Sequence, residues 1–437
     1  MSPGVGRREP WRVAIVGAGP SGSALGILLA RQGDDVVLFD AGSRPALLVG
    51  ESLVPAVVPI LRRLGVEQET AAFSRVKPGV SFVWSPTDRI SVTFNRFAPA
   101  VFPYAYNIPR PRFDELLLAK AKAAGVQHVP VRARLEATSG NGAGPGLVLA
   151  PETLAAVPAL AARPPHLIVD ATGRARLVSR VLGIPARSGP RKDVAHFAHF
   201  EGCQWDEVPG QVLIARRSEG WSWCIPLAER LSIGIVLGQD DAASLGRTPE
   251  ERLDRAIARD QVLNTIAATG KRVTGVGTYA NYQLISERGY GPGWVMAGDA
   301  FGFVDPMLSP GVFLALRSAE LLADALAETK GRGVISPASL EVSLSRYARR
   351  QDAMLSAWFE LVGYLYDGRL AALIQAGRAW MPPDPGVFKQ AAQNHIARHV
   401  GLLASGAATT SPYSRGLLRF LSRRGLRGVD PADFAIR

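Results

Sequence analysis

The sequence predicts an α/β fold, and three consecutive features near its beginning support this prediction. Residues 11–16 form an apolar run typical of a buried parallel strand, and the segment GAGPSG at 17–22 follows it directly. Residues 23–31 have the apolar spacing of a helix, and a second apolar run at 36–39 ends at Asp40. A strand, a glycine-rich turn, a helix and a second strand in this order are typical of a Rossmann-like dinucleotide-binding unit.

The three glycines of the turn each have a physical role in such a unit. Gly17 allows a tight turn, Gly19 lets the backbone approach a pyrophosphate, and Gly22 lets the helix pack closely on the strand. The alternative is a glycine-rich turn in an ordinary α/β domain, but the complete strand and helix context favours a nucleotide site.

Polar contacts to the nucleotide are expected from the start of the helix and the end of the second strand. Pro20 and Ser21 lie where the helix begins, and the free amides and positive dipole end of a helix N-terminus bind phosphate. Asp40, eighteen residues after Gly22, is placed to accept hydrogen bonds from ribose hydroxyls. These features indicate a dinucleotide but do not distinguish FAD from NAD.

The composition excludes several classes of protein. A chain of 437 residues, 47% of them hydrophobic, can bury a large core. It has two cysteines and six scattered histidines without HExxH spacing, so neither a disulfide framework nor a metal site is expected. The first ten residues lack an apolar signal segment, and no uninterrupted apolar run reaches roughly eighteen residues. We therefore expect a cytoplasmic protein without a membrane span.

The positive charge of the chain has two interpretations. The net charge is +12, and arginines are densest between residues 415 and 427. Such charge is usually solvated and affects solubility and steering. Alternatively, it attracts anionic partners such as flavin phosphates or an acidic carrier protein that presents a substrate. Nucleic acid is not an expected partner, because no recognised motif interleaves aromatic residues with these arginines.

The rest of the chain predicts a second, mainly antiparallel sheet and a helical end. Strand patterns occur at 80–84, at 100–107 and at 127–135, among others. The predicted division of the chain is a disordered N-terminus at 1–10, a dinucleotide-binding module at 11–330 with an inserted antiparallel-sheet substrate region at about 75–110 and 190–285, and a mostly helical cap at 331–437.

A second glycine cluster at 139–146 does not predict a second nucleotide site. It lacks an apolar strand before it and a helix after it, which the nucleotide fingerprint requires. The chain therefore has one predicted dinucleotide unit and no separate candidate site for a bound nicotinamide.

Five further motifs occur together: GESLVP at 50–55, DATG at 170–173, WSWCIP at 221–226, GD at 298–299 and FVDPMLSPG at 303–311. With them the chain resembles the flavin-dependent halogenases within the superfamily of FAD-dependent monooxygenases. DATG and GD are general marks of the superfamily, whereas WSWCIP and FVDPMLSPG match the halogenase patterns WxWxIP and FxxPxxSxG. The resemblance implies FAD and a flavoprotein monooxygenase fold of the p-hydroxybenzoate hydroxylase type, with an antiparallel substrate sheet and a C-terminal helical region.

The resemblance also implies a reaction and a catalytic lysine. Reduced FAD, supplied by a separate flavin reductase, activates dioxygen, and chloride or bromide is oxidised to hypohalous acid. A lysine then passes the halogen to an electron-rich aromatic ring. Lys77, in a segment that matches KxGxxFxW, is the candidate for this lysine. Transfer needs a neutral amine, which burial favours and an arginine cannot provide. A lysine at the start of a strand is otherwise usually solvated.

The remaining site residues are also implied by the resemblance. Trp221 and Trp223 are expected to wall the space beside the flavin and exclude water, or simply to belong to the aromatic core. Ser309 is expected to be catalytic and, with the Gly311 amide, to bind halide. A capping role for the residues that follow Gly50, and a turn-closing role for Asp170, are the structural alternatives. The cofactor-binding set comprises Gly17, Gly19, Pro20, Ser21, Gly22, Asp40, Glu51, Ser52, Arg110, Gly298, Asp299, Gly311 and Val312.

Two positions depart from the family pattern. Leu308 stands where tryptophan halogenases carry a glutamate, which favours a phenol or a pyrrole as substrate, free or attached to a carrier protein. Pro310 replaces the residue whose backbone amide, with that of Gly311, holds halide in the family, and proline has no N–H. A lost hydrogen bond to an anion costs about 1.5–3 kcal/mol, so we expect weakened halide binding.

Two other functions remain open at this point. Pro310 favours an aromatic hydroxylase that does not need halide. The third hypothesis is a flavin-binding partner protein that has lost its chemistry, and the retention of Lys77 and both tryptophans counts against it.

Overall fold

The computed structural model describes residues 10–436 except 43, 86–87, 140–144, 281–282, 332–335 and 381–385. Nearly all of the N-terminal segment predicted to be disordered, and most of the second glycine cluster, therefore lie outside the described residues.

Strands and helices occupy most of the described chain. The strands are β1 Arg12–Val16, β2 Asp35–Phe39, β3 Arg75–Lys77, β4 Gly79–Ser85, β5 Asp88–Thr93, β6 Ala105–Asn107, β7 Gln127–Val129, β8 Leu135–Thr138, β9 Gly146–Leu149, β10 Leu167–Asp170, β11 Ala186–Ser188, β12 Asp193–Glu201, β13 Val212–Arg217, β14 Gly220–Pro226, β15 Leu231–Gly238, β16 Lys271–Arg272, β17 Gly277–Ala280, β18 Leu284–Ser286, β19 Tyr290–Gly291, β20 Trp294–Met296 and β21 Gly302–Phe303. The helices are α1 Pro20–Arg31, α2 Val57–Leu64, α3 Glu67–Phe73, α4 Arg110–Ala123, α5 Pro151–Ala155, α6 Pro158–Ala162, α7 Leu177–Leu182, α8 Gln239–Leu245, α9 Pro249–Arg259, α10 Gln261–Ala267, α11 Gly311–Gly331, α12 Pro337–Tyr366, α13 Arg369–Trp380, α14 Val387–Ala404 and α15 Pro412–Arg424.

A six-stranded sheet contains the predicted dinucleotide unit. Its strand order is β19-β20-β10-β1-β2-β7, and every pair is parallel except β19 with β20. In the central register Val16 lies opposite both Phe39 and Asp170. The carboxyl ends of β1, β2 and β10 therefore meet at one edge, where ligands bind in sheets of this type.

An eight-stranded sheet forms the second layer and is mainly antiparallel, as the sequence predicted. Its order is β16-β12-β15-β14-β13-β4-β5, with β17 also paired to β12, and only β13 with β4 is parallel. All residues of β14 are buried, and their side chains alternate between two cores. Trp221 and Trp223 face the main core, whereas Cys224 faces a second core shared with α8, α9 and α10.

The described chain is helical from Pro337 onward apart from turns, as the sequence predicted for this region. Helix α12 has a capping box at Ser336 and Ser339, and Tyr347, Leu355 and Trp358 on it are fully buried. Among the described residues, no helix has both the length and the hydrophobicity needed to cross a membrane. The proposed domain boundaries remain a prediction.

Two predicted strands are shorter in the structure because prolines interrupt them. Only β6 forms within 100–107, since Pro103 cannot donate a ladder hydrogen bond. The strand predicted at 127–135 is divided into β7 and the start of β8, with Pro130 directly after β7. A proline within an apolar run therefore ends a strand that the apolar pattern alone predicts to be longer.

We predict that Gly22→Ala prevents FAD binding and destabilises the fold by about 3 kcal/mol. An added Cβ would lie 1.9 Å from the carbonyl oxygen of Gly17, which is backbone and cannot move aside independently. Urea denaturation and FAD titration measure the two effects. Gly26→Ala in the same helix is the control, because its Cβ would meet only the Val126 side chain at 3.3 Å. Wild-type stability and FAD affinity in Gly22→Ala would contradict this packing argument.

Candidate active site

A cavity of about 800 Å³ lies at the carboxyl edge of the six-stranded sheet and extends to the eight-stranded sheet. Most of the predicted site residues line it, from both sheets and from α11. The lining includes Gly17, Gly19, Pro20, Ser21, Asp40, Glu51, Ser52, Arg110, Trp221, Trp223, Asp299, Ser309, Gly311 and Val312. Gly22 and Gly298 are each adjacent in sequence to lining residues, and Lys77 lies in a different cavity.

The glycine turn leaves space for a ligand on one side and contacts the sheet on the other. Gly17 has φ of +108°, and a Cβ there would lie 2.4 Å from the carbonyl oxygen of Ala171. A Cβ on Gly19 would meet nothing within 4 Å, because this residue faces the cavity. The turn therefore has the open backbone surface that a pyrophosphate requires.

Two polar side chains in the same part of the cavity fit FAD. The Ser21 hydroxyl is buried without a hydrogen-bond partner among the described residues, and a phosphate oxygen would satisfy it. Asp40 accepts from the Gly42 amide at 3.2 Å and is 3.5 Å from the Arg44 guanidinium. One Asp40 oxygen can also accept from a ribose hydroxyl, and Arg44 places positive charge at the cavity wall. The residues present therefore fit the adenosine and pyrophosphate parts of FAD.

Glu51 forms a buried pair that the sequence analysis did not predict. Its carboxylate lies 2.6 Å from Nε2 of His199 on β12, and both side chains are shielded from solvent. Glu51 also lines the cavity, so the pair joins the 50–55 segment to the eight-stranded sheet. His199 carries no motif in the sequence, because its partner is 148 positions away.

A second set of charged side chains, Arg110, Asp114 and Asp299, lines the larger cavity. Arg110 donates to both oxygens of Asp114 at 3.1 and 3.2 Å and also to the carbonyl of Val49. Burial raises the pKa of Asp299 to about 6, although the positive charges of Arg110 and Arg174 lower it. Arg110 thus ties Val49, which precedes the 50–55 segment, to α4, and Asp299 is a buried carboxyl group in the lining of the cavity.

A smaller cavity of about 280 Å³ contains the predicted catalytic lysine. Its walls are mostly aliphatic and aromatic side chains from β4, β5, α13 and α14. Val212, Ile214 and Ser309 line both cavities. The two cavities therefore share a wall, and Ser309 is a polar residue in it.

Lys77 is the buried amine of this smaller cavity. Only 2% of the residue is exposed, and Nζ donates to Ser52 Oγ at 2.8 Å and to the Leu53 carbonyl at 3.0 Å. The Phe94 ring centroid is 5.6 Å from Nζ. Because burial disfavours the ammonium ion, the pKa of Lys77 falls from its ordinary value to about 7. Ser52, predicted to bind the cofactor, thus lies between the larger cavity and the lysine.

Trp221 and Trp223 line the larger cavity. Their ring centroids are 5.6 Å apart, and Trp223 Nε1 donates to Ser232 at 3.3 Å. Gly234 lies opposite Trp223 in the next strand, and a Cβ there would be 2.2 Å from the Trp223 ring. The glycine lets the ring lie flat against the sheet, where it walls the cavity.

The segment from Asp305 to Pro310 leads from the sheet to α11. Leu308 and Ser309 have φ of +65° and +60°, a strained conformation for residues with side chains. The Ser309 amide donates to the Pro306 carbonyl at 2.9 Å, so it is engaged within the loop. The free amides of the first turn of α11, which begins at Gly311, lie at the edge of the larger cavity.

The chain matches the FAD binding domain family over residues 11–341. A tryptophan 2-halogenase from Chondromyces crocatus is 28% identical over 82% of this chain and 68% of its own length. A 1H-pyrrole-2-carbonyl-[peptidyl-carrier protein] brominase from Pseudoalteromonas luteoviolacea is 26% identical over 73% of this chain and 77% of its own. A flavin-dependent halogenase from Armillaria mellea is 31% identical over 71% of this chain, which covers 63% of that protein.

Solved structures agree on the fold. The myxobacterial chondrochloren halogenase CndH aligns with a TM-score of 0.70 and 24% identity, over 98% of this chain and all of the other. The flavin-dependent brominase Bmp2 aligns with a TM-score of 0.72 and 20% identity, over 96% of this chain. The family match spans more than half of the sequence, and the chain therefore belongs to the FAD binding domain family, as an FAD-dependent oxidoreductase of the flavin-dependent halogenase group.

Proposed function

We propose that this enzyme halogenates an electron-rich aromatic ring, with Lys77 presenting the halogen. The observation that carries the proposal is the position of Lys77, buried in an apolar cavity that shares a wall with the flavin cavity. Reduced FAD, when bound, would supply two of the four electrons that dioxygen accepts, and chloride or bromide would supply the other two as it is oxidised to hypohalous acid, with the second oxygen atom released as water. A separate flavin reductase supplies the reduced cofactor, because the sequence has one recognisable dinucleotide unit.

The contacts of Lys77 suit a neutral amine that accepts a halogen. A neutral amine has two N–H groups and one lone pair, and the Ser52 and Leu53 oxygens accept the two N–H groups. The lone pair is then free to accept a hydrogen bond from hypohalous acid or to attack its halogen. In the second case the O–halogen bond breaks, a haloamine forms, and the hydroxide leaves as water with one N–H hydrogen of the amine. With a pKa of about 7, most of the Lys77 amine is neutral above that pH, where an ordinary lysine is still charged.

The shared wall supports separation of halide oxidation from ring attack. Ser309 can donate its hydroxyl hydrogen toward either cavity, and the neighbouring side chains Val212 and Ile214 keep the wall apolar. A ring held in the smaller cavity reaches Lys77 without stacking on the flavin. Direct transfer of oxygen to the ring is thereby disfavoured, and water is excluded from the reactive halogen.

The start of α11 is the proposed halide site. The Gly311 and Val312 amides belong to the first turn, where free N–H groups and the helix dipole attract an anion. Pro310 contributes no N–H, although its carbonyl accepts the amide of Leu314 at 2.8 Å as the helix begins. The site therefore has fewer donors than the family pattern implies.

The ring is proposed to be a phenol or a pyrrole. Leu308 lines the smaller cavity where tryptophan halogenases carry glutamate, so this position offers a ring no carboxylate. The relatives' names include both a carrier-bound pyrrole and tryptophan as substrates of those proteins, so a substrate panel needs both. Arg96 and Arg378 are exposed where they line the cavity, but Arg378 forms an ion pair with Asp88 at 2.7 Å. The positive charge of Arg96 therefore favours an acidic carrier protein at the entrance.

A second candidate function is aromatic hydroxylation without halide. Pro310 is the observation that favours it, because the halide site has lost one backbone donor. Products that gain one oxygen atom, in the same yield with and without bromide, would support this second function.

We predict that Lys77→Met lowers the rate of halogenation by at least about a thousand-fold, while FAD binding and oxygen consumption stay close to wild type. Methionine keeps the apolar bulk of the side chain but has no amine. The assay contains flavin reductase, NADH, oxygen and bromide. The substrates tested are phenols and pyrroles, both free and carrier-bound, and tryptophan. Mass spectrometry detects the bromine isotope pattern of a halogenated product. Replacement of the exposed Lys122 on α4, Lys122→Ala, is the control. Full bromination by Lys77→Met would rule out the lysine as the halogen carrier.

We predict that Pro310→Ala tightens bromide binding by roughly ten- to a hundred-fold, because it restores one N–H beside Gly311. Isothermal titration calorimetry of the FAD-loaded protein measures the affinity directly. Pro337→Ala, at the exposed start of α12 and in the lining of neither cavity, is the control and is expected to change bromide affinity little. An unchanged affinity in Pro310→Ala would show that this amide does not face the halide.

A further inference from the structure

A buried hydrogen-bond network joins Trp221, in the wall of the larger cavity, to the loop before α11. Trp221 Nε1 donates to the Tyr366 hydroxyl at 3.0 Å. The Tyr366 hydroxyl lies 3.2 and 3.1 Å from the two oxygens of Asp305. Because the tyrosine accepts from the indole, its single O–H hydrogen is directed at the carboxylate. The donor and the acceptor of each hydrogen bond in this network are therefore fixed.

Asp305 is the loop residue to which this hydrogen-bond network leads. Its side chain is fully buried and also accepts from Gln283 Nε2 at 3.0 Å and from the Met307 amide at 2.8 Å. The bond to Met307 closes the turn that precedes Leu308 and Ser309, the two residues with positive φ. The carboxylate thus holds the strained part of the loop in its observed conformation.

Tyr366 is held on several sides. It is the last residue of α12, and its carbonyl accepts the amide of Ile436 at 2.8 Å. The Arg191 guanidinium lies 4.1 Å above its ring and forms an ion pair with Asp193 at 2.6 Å. The hydroxyl is therefore a rigid connection between β14 and the loop, built from elements that are distant in sequence.

We propose that Tyr366 is a positioning residue, which sets halide affinity by holding Asp305 and Trp221 in register across the flavin cavity. This inference rests on the proposed function, because it assumes that the start of α11 binds halide. Trp221 and Ser309 both line the larger cavity. A shift of Trp221, or of the loop that contains Asp305 and Ser309, therefore changes the space in which the halide is oxidised.

The test is Tyr366→Phe, which removes one oxygen atom and keeps the ring. We expect bromide to bind about ten-fold more weakly by calorimetry to protein loaded with oxidised FAD, and KM for bromide to rise about ten-fold with kcat changed less than about two-fold. Tyr364→Phe is the matched control, because Tyr364 is on the same helix, is 4% exposed and donates its hydroxyl hydrogen to Glu360 at 3.3 Å instead of to Asp305.

A double-mutant cycle separates positioning from general stability. If the connection is real, Tyr366→Phe combined with Asp305→Asn loses no more bromide affinity than the more damaging single change. Additive losses, or Tyr366→Phe with wild-type bromide affinity and only a lower melting temperature, would overturn the proposal. Calorimetry does not depend on turnover, so absence of brominated product in the wild type would count against the proposed function alone.

Discussion

The burial of one amine is the constraint on which the rest of the site depends. Lys77 is at the end of β3, which pairs with β6, and the 50–55 segment covers it from the other side. That segment is held in turn by the Arg110 bond to the Val49 carbonyl and by the pair of Glu51 with His199. Loss of either support would let water reach the amine and raise its pKa toward the value of an exposed lysine.

The fold places this amine beside the cofactor without exposing it to the cofactor cavity. The glycine turn and Asp40 belong to the parallel sheet, whereas β13 of the antiparallel sheet supplies the shared wall through Val212 and Ile214. Helices α13 and α14 close the far side of the smaller cavity. The enzyme thus combines a binding edge common to many nucleotide proteins with a second cavity that is formed mainly by the antiparallel sheet and the C-terminal helices.

Residues whose role depends on local backbone geometry could be predicted from the sequence, and those that depend on distant partners could not. Gly17, Gly19 and Gly22 follow one strand and open one helix, so their spacing together with that local context indicated the turn. His199 and Tyr366 carry no comparable signal, because Glu51 and Trp221 meet them only after the two sheets and α12 pack together. The positive φ of Leu308 could not be predicted either, because a leucine side chain does not favour that conformation.

The most direct test of the account is the pKa of Lys77 in the folded, FAD-bound protein. NMR of protein labelled with ¹³C at lysine Cε, with Lys77→Met to assign the resonance, would follow its titration. We predict a midpoint at about pH 7, because the amine is buried with two neutral oxygen acceptors. A midpoint near the ordinary lysine value of about 10.4 would contradict this prediction, because the amine would then be charged at working pH and unable to accept the halogen.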